Sequence, residues 1–171
     1  MHARRSLLVS FLVALAACSA DVENNEPTER PRGLGTSDAE MLRVWDLAPS
    51  FGGFYLDSAG YVLVVTDLGT RMAVKRAAAS VIGVPSNHPL RFVSRRNSYG
   101  RLASLRDSLF GHVLSRATGG TSIGIDQVRN VVRIGAESDT AVANVFDWAA
   151  RLRIPTRDII VVREERARFA R

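Results

Sequence analysis

The sequence predicts an α+β fold of two repeated strand–turn–strand–helix–strand lobes, small antiparallel sheets packed on helices, joined by a helix. Three observations point there. Apolar residues recur at helical spacing in four separate segments. β-rich runs flank short polar turns. Residues 123–134 repeat the pattern of residues 54–65.

Taken in order, Ser37-Asp38-Ala39-Glu40 has the form of a capping box, in which the serine hydroxyl and the glutamate carboxylate each satisfy a free N–H at a helix start. Met41, Leu42 and Trp45 follow on one face, so a helix is expected over about 38–47, ended by Pro49 and Gly52-Gly53. Two strands then flank the polar turn Asp57-Ser58-Ala59-Gly60. A helix over about 71–82 turns Val74, Ala77, Ala78 and Val81 inward, and residues 90–95 alternate as a strand after Pro85 and Pro89. Ser98 caps a longer helix, 99–116, with Leu102, Leu105, Leu109 and Val113 on one face.

The second half aligns with the first without a gap. Asp126 falls on Asp57, Arg129 on Gly60, Asn130 on Tyr61, and Val131-Val132 on Val62-Leu63. A helix over 139–152 turns Val142, Val145, Phe146, Ala149 and Leu152 inward, and Ile159-Ile160-Val161-Val162 is the last strand. The expected divisions are therefore a first lobe over 37–97, a connecting helix over 98–117, and a second lobe with a C-terminal tail over 118–171. Gly119-Gly120 reads as a linker between the halves, since neither a lysine nor a helix follows as a phosphate loop requires.

Residues 1–36 read differently. His2, Arg4 and Arg5 precede an apolar run over 7–17 that is too short to span a bilayer, the pattern of a secretory signal peptide. Leu15-Ala16-Ala17-Cys18 resembles the lipobox of bacterial lipoproteins, in which the cysteine sulfur takes the diacylglycerol and further acyl chains such as palmitate anchor the protein. Cys18 is the only cysteine of the chain, which favours this reading and rules out a disulfide scaffold. Residues 18–36 are then the lipidated cysteine and a polar, proline-containing tether. The expected location is extracytoplasmic, lipid-anchored to a bacterial membrane in the cell envelope.

At 171 residues, 46% hydrophobic and 23% charged, the chain is long enough for a core that needs no staples. Its formal charge of +6 falls to +4 once Arg4 and Arg5 leave with the leader. Twenty-two of the 23 cations are arginine and Lys75 is the sole lysine, a bias that speaks more of base composition than of a polyanion site. With aromatics at 7%, a single-stranded nucleic-acid platform is not expected, and neither is nucleic acid as a partner.

Candidate chemistry is thin. Asp57 and Asp126 occupy the same point of both halves, as paired acid–base groups would, but an aspartate opening a tight turn accepts backbone N–H bonds from two residues on. His88 and His112 lack a nucleophile elbow to serve, and three histidines with one cysteine make no convincing metal site. Arg91, Arg95, Arg96, Arg101 and Arg106 form either an ordinary solvated face or a surface that steers an acidic partner. No catalytic residue, metal or cofactor is expected, and the chain is expected not to be an enzyme.

Several segments resemble the pro-domain of the alpha-lytic protease and streptogrisin group of secreted bacterial serine proteases. They are Gly53-Phe54-Tyr55-Leu56-Asp57 running into Val62-Leu63-Val64-Val65-Thr66-Asp67, Ser98-Tyr99-Gly100-Arg101-Leu102-Ala103-Ser104-Leu105, and Ser122-Ile123-Gly124-Ile125-Asp126 with Asn130-Val131-Val132. The resemblance covers about residues 40–165. It implies a two-lobed folding catalyst and inhibitor that presents a sheet edge and its C-terminal tail to a protease. No Gly-Asp-Ser-Gly-Gly segment follows in this chain. The expected role is therefore binding a separate protein, a secreted serine protease in trans or another envelope protein, through the edge strand Ile159, Ile160, Val161 and Val162. Phe169 in the tail is either a segment entering a protease cleft or part of a frayed terminus. A structural or scaffolding envelope lipoprotein without a protease client is the alternative. Proline at Ile160 or Val162 is expected to abolish edge binding.

Overall fold

The computed structural model describes residues 36–84 and 89–165. Cys18, the leader, most of the tether, His88 and Phe169 lie outside the described residues. The described segments belong to one unit that begins at Pro31.

Helix α1 (Asp38–Leu47) opens with the expected capping box: Ser37 Oγ accepts the Glu40 N–H while Glu40 accepts the Ser37 N–H at 2.8 Å. Strands β1 (Phe51–Asp57) and β2 (Gly60–Val65) form an antiparallel hairpin, α2 (Arg71–Ile82) crosses over, and β3 (Leu90–Ser94) completes the sheet in the order β1-β2-β3. The same succession follows as α3 (Tyr99–Val113), β4 (Gly120–Asp126), β5 (Val131–Ala136), α4 (Asp139–Arg151) and β6 (Ile159–Arg163), in the order β4-β5-β6.

Several details differ from the sequence expectation. Helix α3 ends at Val113 and not at 116, and Phe146 of α4 and Leu152 at its end, expected inward, are exposed. The sheets are mixed rather than purely antiparallel: β3 and β6 pair parallel to β2 and β5, because the helix returns the chain to the end where the preceding strand began. Gly52-Gly53 do not end α1 but lie in β1, at a bulge between Phe51 and Gly53. Gly119-Gly120 is not a linker alone, since Gly120 starts β4 at the equivalent bulge. Finally, the halves do not align without a gap. Asp57 pairs with Gly60 across a two-residue turn, whereas Asp126 pairs with Val131 across a four-residue one. Asp126 is the counterpart of Asp57 as expected, but Val131 answers Gly60 and Arg133 answers Val62.

Each sheet has two helices on one face. Met41 and Val44 of α1 and Val74, Ala77 and Ala78 of α2 bury Phe51, Phe54, Leu63 and Val65. In the second lobe, Leu102, Leu109 and Val113 of α3 join Val145 and Ala149 of α4 over Val132, Ile134 and Ile159. Helix α3 is thus the connection between the lobes and the opening helix of the second. Its first residue, Tyr99, packs in the first core. Gly100 beside it has no room for a side chain, because a Cβ there would meet the Trp45 indole of α1.

Candidate functional site

Among the described residues, β6 lies at the outside of its sheet and pairs with β5 alone. Glu164 N–H donates to Ala136 O at 2.9 Å. Backbone direction alternates along a strand, so the N–H groups of Ile160 and Val162 also aim at β5, while those of Val161 and Arg163 aim away and that of Ile159 donates to Thr156 O. Side chains alternate as well. Ile159, 6% exposed, and Val161 pack into the second core, and Ile160 and Val162 are half-buried on the opposite face. Proline at Ile160 or Val162 would therefore break the sheet's own ladder. Val161 is the position whose N–H an added strand would meet.

The start of β6 is fixed by a buried polar joint between the lobes. Asn130, in the β4–β5 turn, adopts φ 58°, and its Oδ1 accepts the Asn97 N–H at 2.8 Å. Its amide donates to Asn97 O at 2.8 Å and to Gly52 O at 3.2 Å. Gly52 sits at the β1 bulge, where a Cβ would lie 2.8 Å from Val64 Cγ1 and 2.9 Å from Asn97 O. In turn Asn97 Nδ2 donates to Asn130 O and to Asp158 Oδ1, both at 3.1 Å. Arg101 closes the circuit, donating to Asn97 Oδ1 at 3.0 Å and to Asp158 Oδ2 at 2.8 Å. Arg96 adds an ion pair to Asp158 at 3.5 Å.

Asp158 is wholly buried, immediately before β6. Burial alone pushes its carboxyl up, but the hydrogen bonds from Arg101 and Asn97 and the charges of Arg101 and Arg96 outweigh it and hold it below the usual carboxylate range. Among the described residues no buried side-chain nitrogen or oxygen lacks a partner. Sequence reasoning missed Asn97, Asn130 and Asp158, and it treated Arg96 and Arg101 as surface charges.

The other candidates resolve into structure. Asp57 Oδ1 accepts the Ala59 N–H at 2.9 Å and Asp126 Oδ1 accepts the Arg129 N–H at 2.8 Å, so both aspartates brace turns. Asp57 also pairs with Arg91, and Arg106 with Asp38 and Asp107. Arg91, Arg96, Arg101 and Arg106 are thus each engaged with a carboxylate of the chain. His112 is half-buried in α3, stacked on Trp148 of α4 with centroids 4.2 Å apart, and Arg151 lies over the same ring. Among the described residues, no group of three or more histidine, cysteine, aspartate or glutamate side chains is placed to hold a metal ion, and no helix is long and apolar enough to cross a membrane.

No protein-family model matches the chain, and no curated protein is significantly similar to it. Geometry therefore carries the functional reading. It brings Ile159 through Val162 together at one sheet edge and supports them from behind with the Asp158 joint.

Proposed function

We propose that the chain is a non-enzymatic, lipid-anchored lipoprotein of the bacterial envelope that binds a protein partner through an edge strand. The observation that supports this most is β6: one side of it is bonded to β5, no strand among the described residues pairs with the other, and its start is held by a buried ion-pair network. A rigid strand edge lowers the ordering cost that an added strand must overcome. Lipidation at Cys18 tethers the module outside the cytoplasm. By its resemblance to protease pro-domains, the partner is a secreted serine protease that the module restrains or helps to fold in trans.

The test is affinity capture from native envelope and secreted fractions with the lipidated chain, with mass spectrometry of what is retained. Stoichiometric recovery of a serine protease whose activity falls on titration supports the inhibitor role. A protease that only regains activity on refolding with the chain supports the foldase role. Recovery of envelope proteins alone moves the assignment to a scaffolding lipoprotein. Val161→Pro, which removes an outward N–H and leaves the β5 ladder intact, is expected to weaken capture at least tenfold. Unchanged capture by that variant refutes the edge mechanism.

A further inference from the structure

The two lobes contain the same strand edge, and the edge of the first is partly covered by the second. On β1, the Gln127 side chain lies against Gly53, and its Oε1 accepts the Phe54 N–H at 2.6 Å. Ile123 is the counterpart of Phe54, pairing with Ile134 as Phe54 pairs with Leu63 at the same distance from the bulge. Its N–H and C=O therefore also aim away from the neighbouring strand, as do those of Ile125 two residues on. Beside them runs an open groove of about 320 Å³ lined by Ser122, Ile123, Gly124, Ile125 and Arg133.

Two replacements between the lobes make this groove. Gly124 stands where lobe 1 has Tyr55, and among the described residues nothing lies within 4 Å of a Cβ built there. Arg133 stands where lobe 1 has the fully buried Val62. It is the direct cross-strand partner of Gly124, and its side chain is 38% exposed. With no side chain on Gly124, that position of β4 leaves the groove beside the guanidinium open. The surroundings already hold one carboxylate. Glu164 Oε2 accepts from Ser122 Oγ at 2.7 Å and from Thr121 Oγ1 at 3.4 Å, and its Oε1 pairs with one Arg133 nitrogen at 2.6 Å. A guanidinium has five N–H donors, so this pair does not exhaust Arg133.

We propose that the β4 edge docks an extended acidic segment of a partner protein, its backbone pairing with Ile123 and Ile125 and a carboxylate opposite Gly124 pairing with Arg133. The assignment rests on the chain being a protein-binding module, but not on the use of β6.

The experiment is amide NMR of the full lipidated chain in detergent micelles. It is titrated with the capped pentapeptide Thr-Val-Glu-Val-Thr and with its glutamine counterpart Thr-Val-Gln-Val-Thr. The glutamate peptide is expected to shift the Ile123 and Ile125 amides and to bind roughly tenfold more tightly than the glutamine peptide. Arg133→Gln should erase that preference. Gly124→Val, which fills the groove without altering charge, should abolish binding while the remaining spectrum keeps its native dispersion.

Equal affinity for the two peptides, a preference that survives Arg133→Gln, or no shift up to millimolar peptide overturns the assignment. Shifts confined to β6 also overturn it but leave the protein-binding reading standing. Absence of any shift together with an empty affinity capture fails both.

Discussion

Asn130→Ala is the sharpest test of how the lobes are joined. The substitution removes three hydrogen bonds: one accepted from Asn97 N–H and two donated, to Asn97 O and Gly52 O. Residue 130 is 3% exposed, so those backbone groups lose partners where water replaces them poorly. At about 1 kcal/mol net for each bond the loss is about 3 kcal/mol, and a higher figure applies if a group stays dry. Alanine at φ 58° adds about 1 kcal/mol of backbone strain that asparagine largely escapes. Asn130→Gly separates the two contributions, since glycine has no such strain. Against a stability of about 5–15 kcal/mol for an ordinary domain, the alanine loss is large. With a urea m-value near 2 kcal/mol/M it lowers the midpoint by roughly 1.5–2 M, and the glycine variant should fall by about a quarter less. Circular dichroism during urea titration measures both. A loss under about 1 kcal/mol for either variant would falsify the claim that this side chain holds the joint.

Other outcomes follow from the same geometry. Within α3, Gly100→Ala is expected to destabilise by about 2 kcal/mol because its Cβ overlaps the Trp45 ring, and Trp45 fluorescence should change with it. Gly111→Ala in the same helix, where nothing among the described residues lies within 4 Å of an added Cβ, should stabilise by up to about 1 kcal/mol, so thermal melts of the two should move in opposite directions. Gly83 ends α2 at φ 66°, and Gly83→Ala should cost about 1 kcal/mol from strain alone. Asp158 is held below the usual carboxylate range, so its contribution is full above the unfolded value near 3.9 and is lost as pH falls through the lower folded value. Acid titration of the wild type should show this loss below about pH 4, and Asp158→Asn, although less stable near neutrality, should lack that part of the acid limb.

Much of the fold was legible because it rests on local signals. The capping box at Ser37 and Glu40, the Ser98 cap and the apolar spacing of α2 and α4 act within one or two turns of chain. The aspartate-opened turns are equally local, and Asp57 and Asp126 accept backbone N–H groups two and three residues on. The direction of β3 and β6 was not legible, because it depends on the end of the sheet to which a helix returns the chain. The extra turn residues of lobe 2 were hidden because β1 and β3 keep one constant offset from β4 and β6, and only β2 and β5 depart from it. The joint was illegible for another reason. Asn97 and Asn130 sit in loops and Asp158 in a single 3-10 turn, where polar residues are ordinary, and their partners are 33 and 61 residues away. Only the unusual backbone of Asn130 marks the place, and that is a property of the folded chain.

The two-residue difference between the hairpin turns also limits how such lobes can be strung together. Lobe 2 reaches lobe 1 with the longer turn, using Gln127 and Asn130 against Phe54 and Gly52. The turn of lobe 1 has only Ser58 and Ala59 between its paired ends, with no amide side chain to extend. Its counterpart surface on lobe 2 has Thr121 in place of Gly52, with the Glu164 carboxylate lying over Gly135. One copy therefore cannot do to the next what its own second half does to its first. Head-to-tail growth through this contact stops at a pair of lobes.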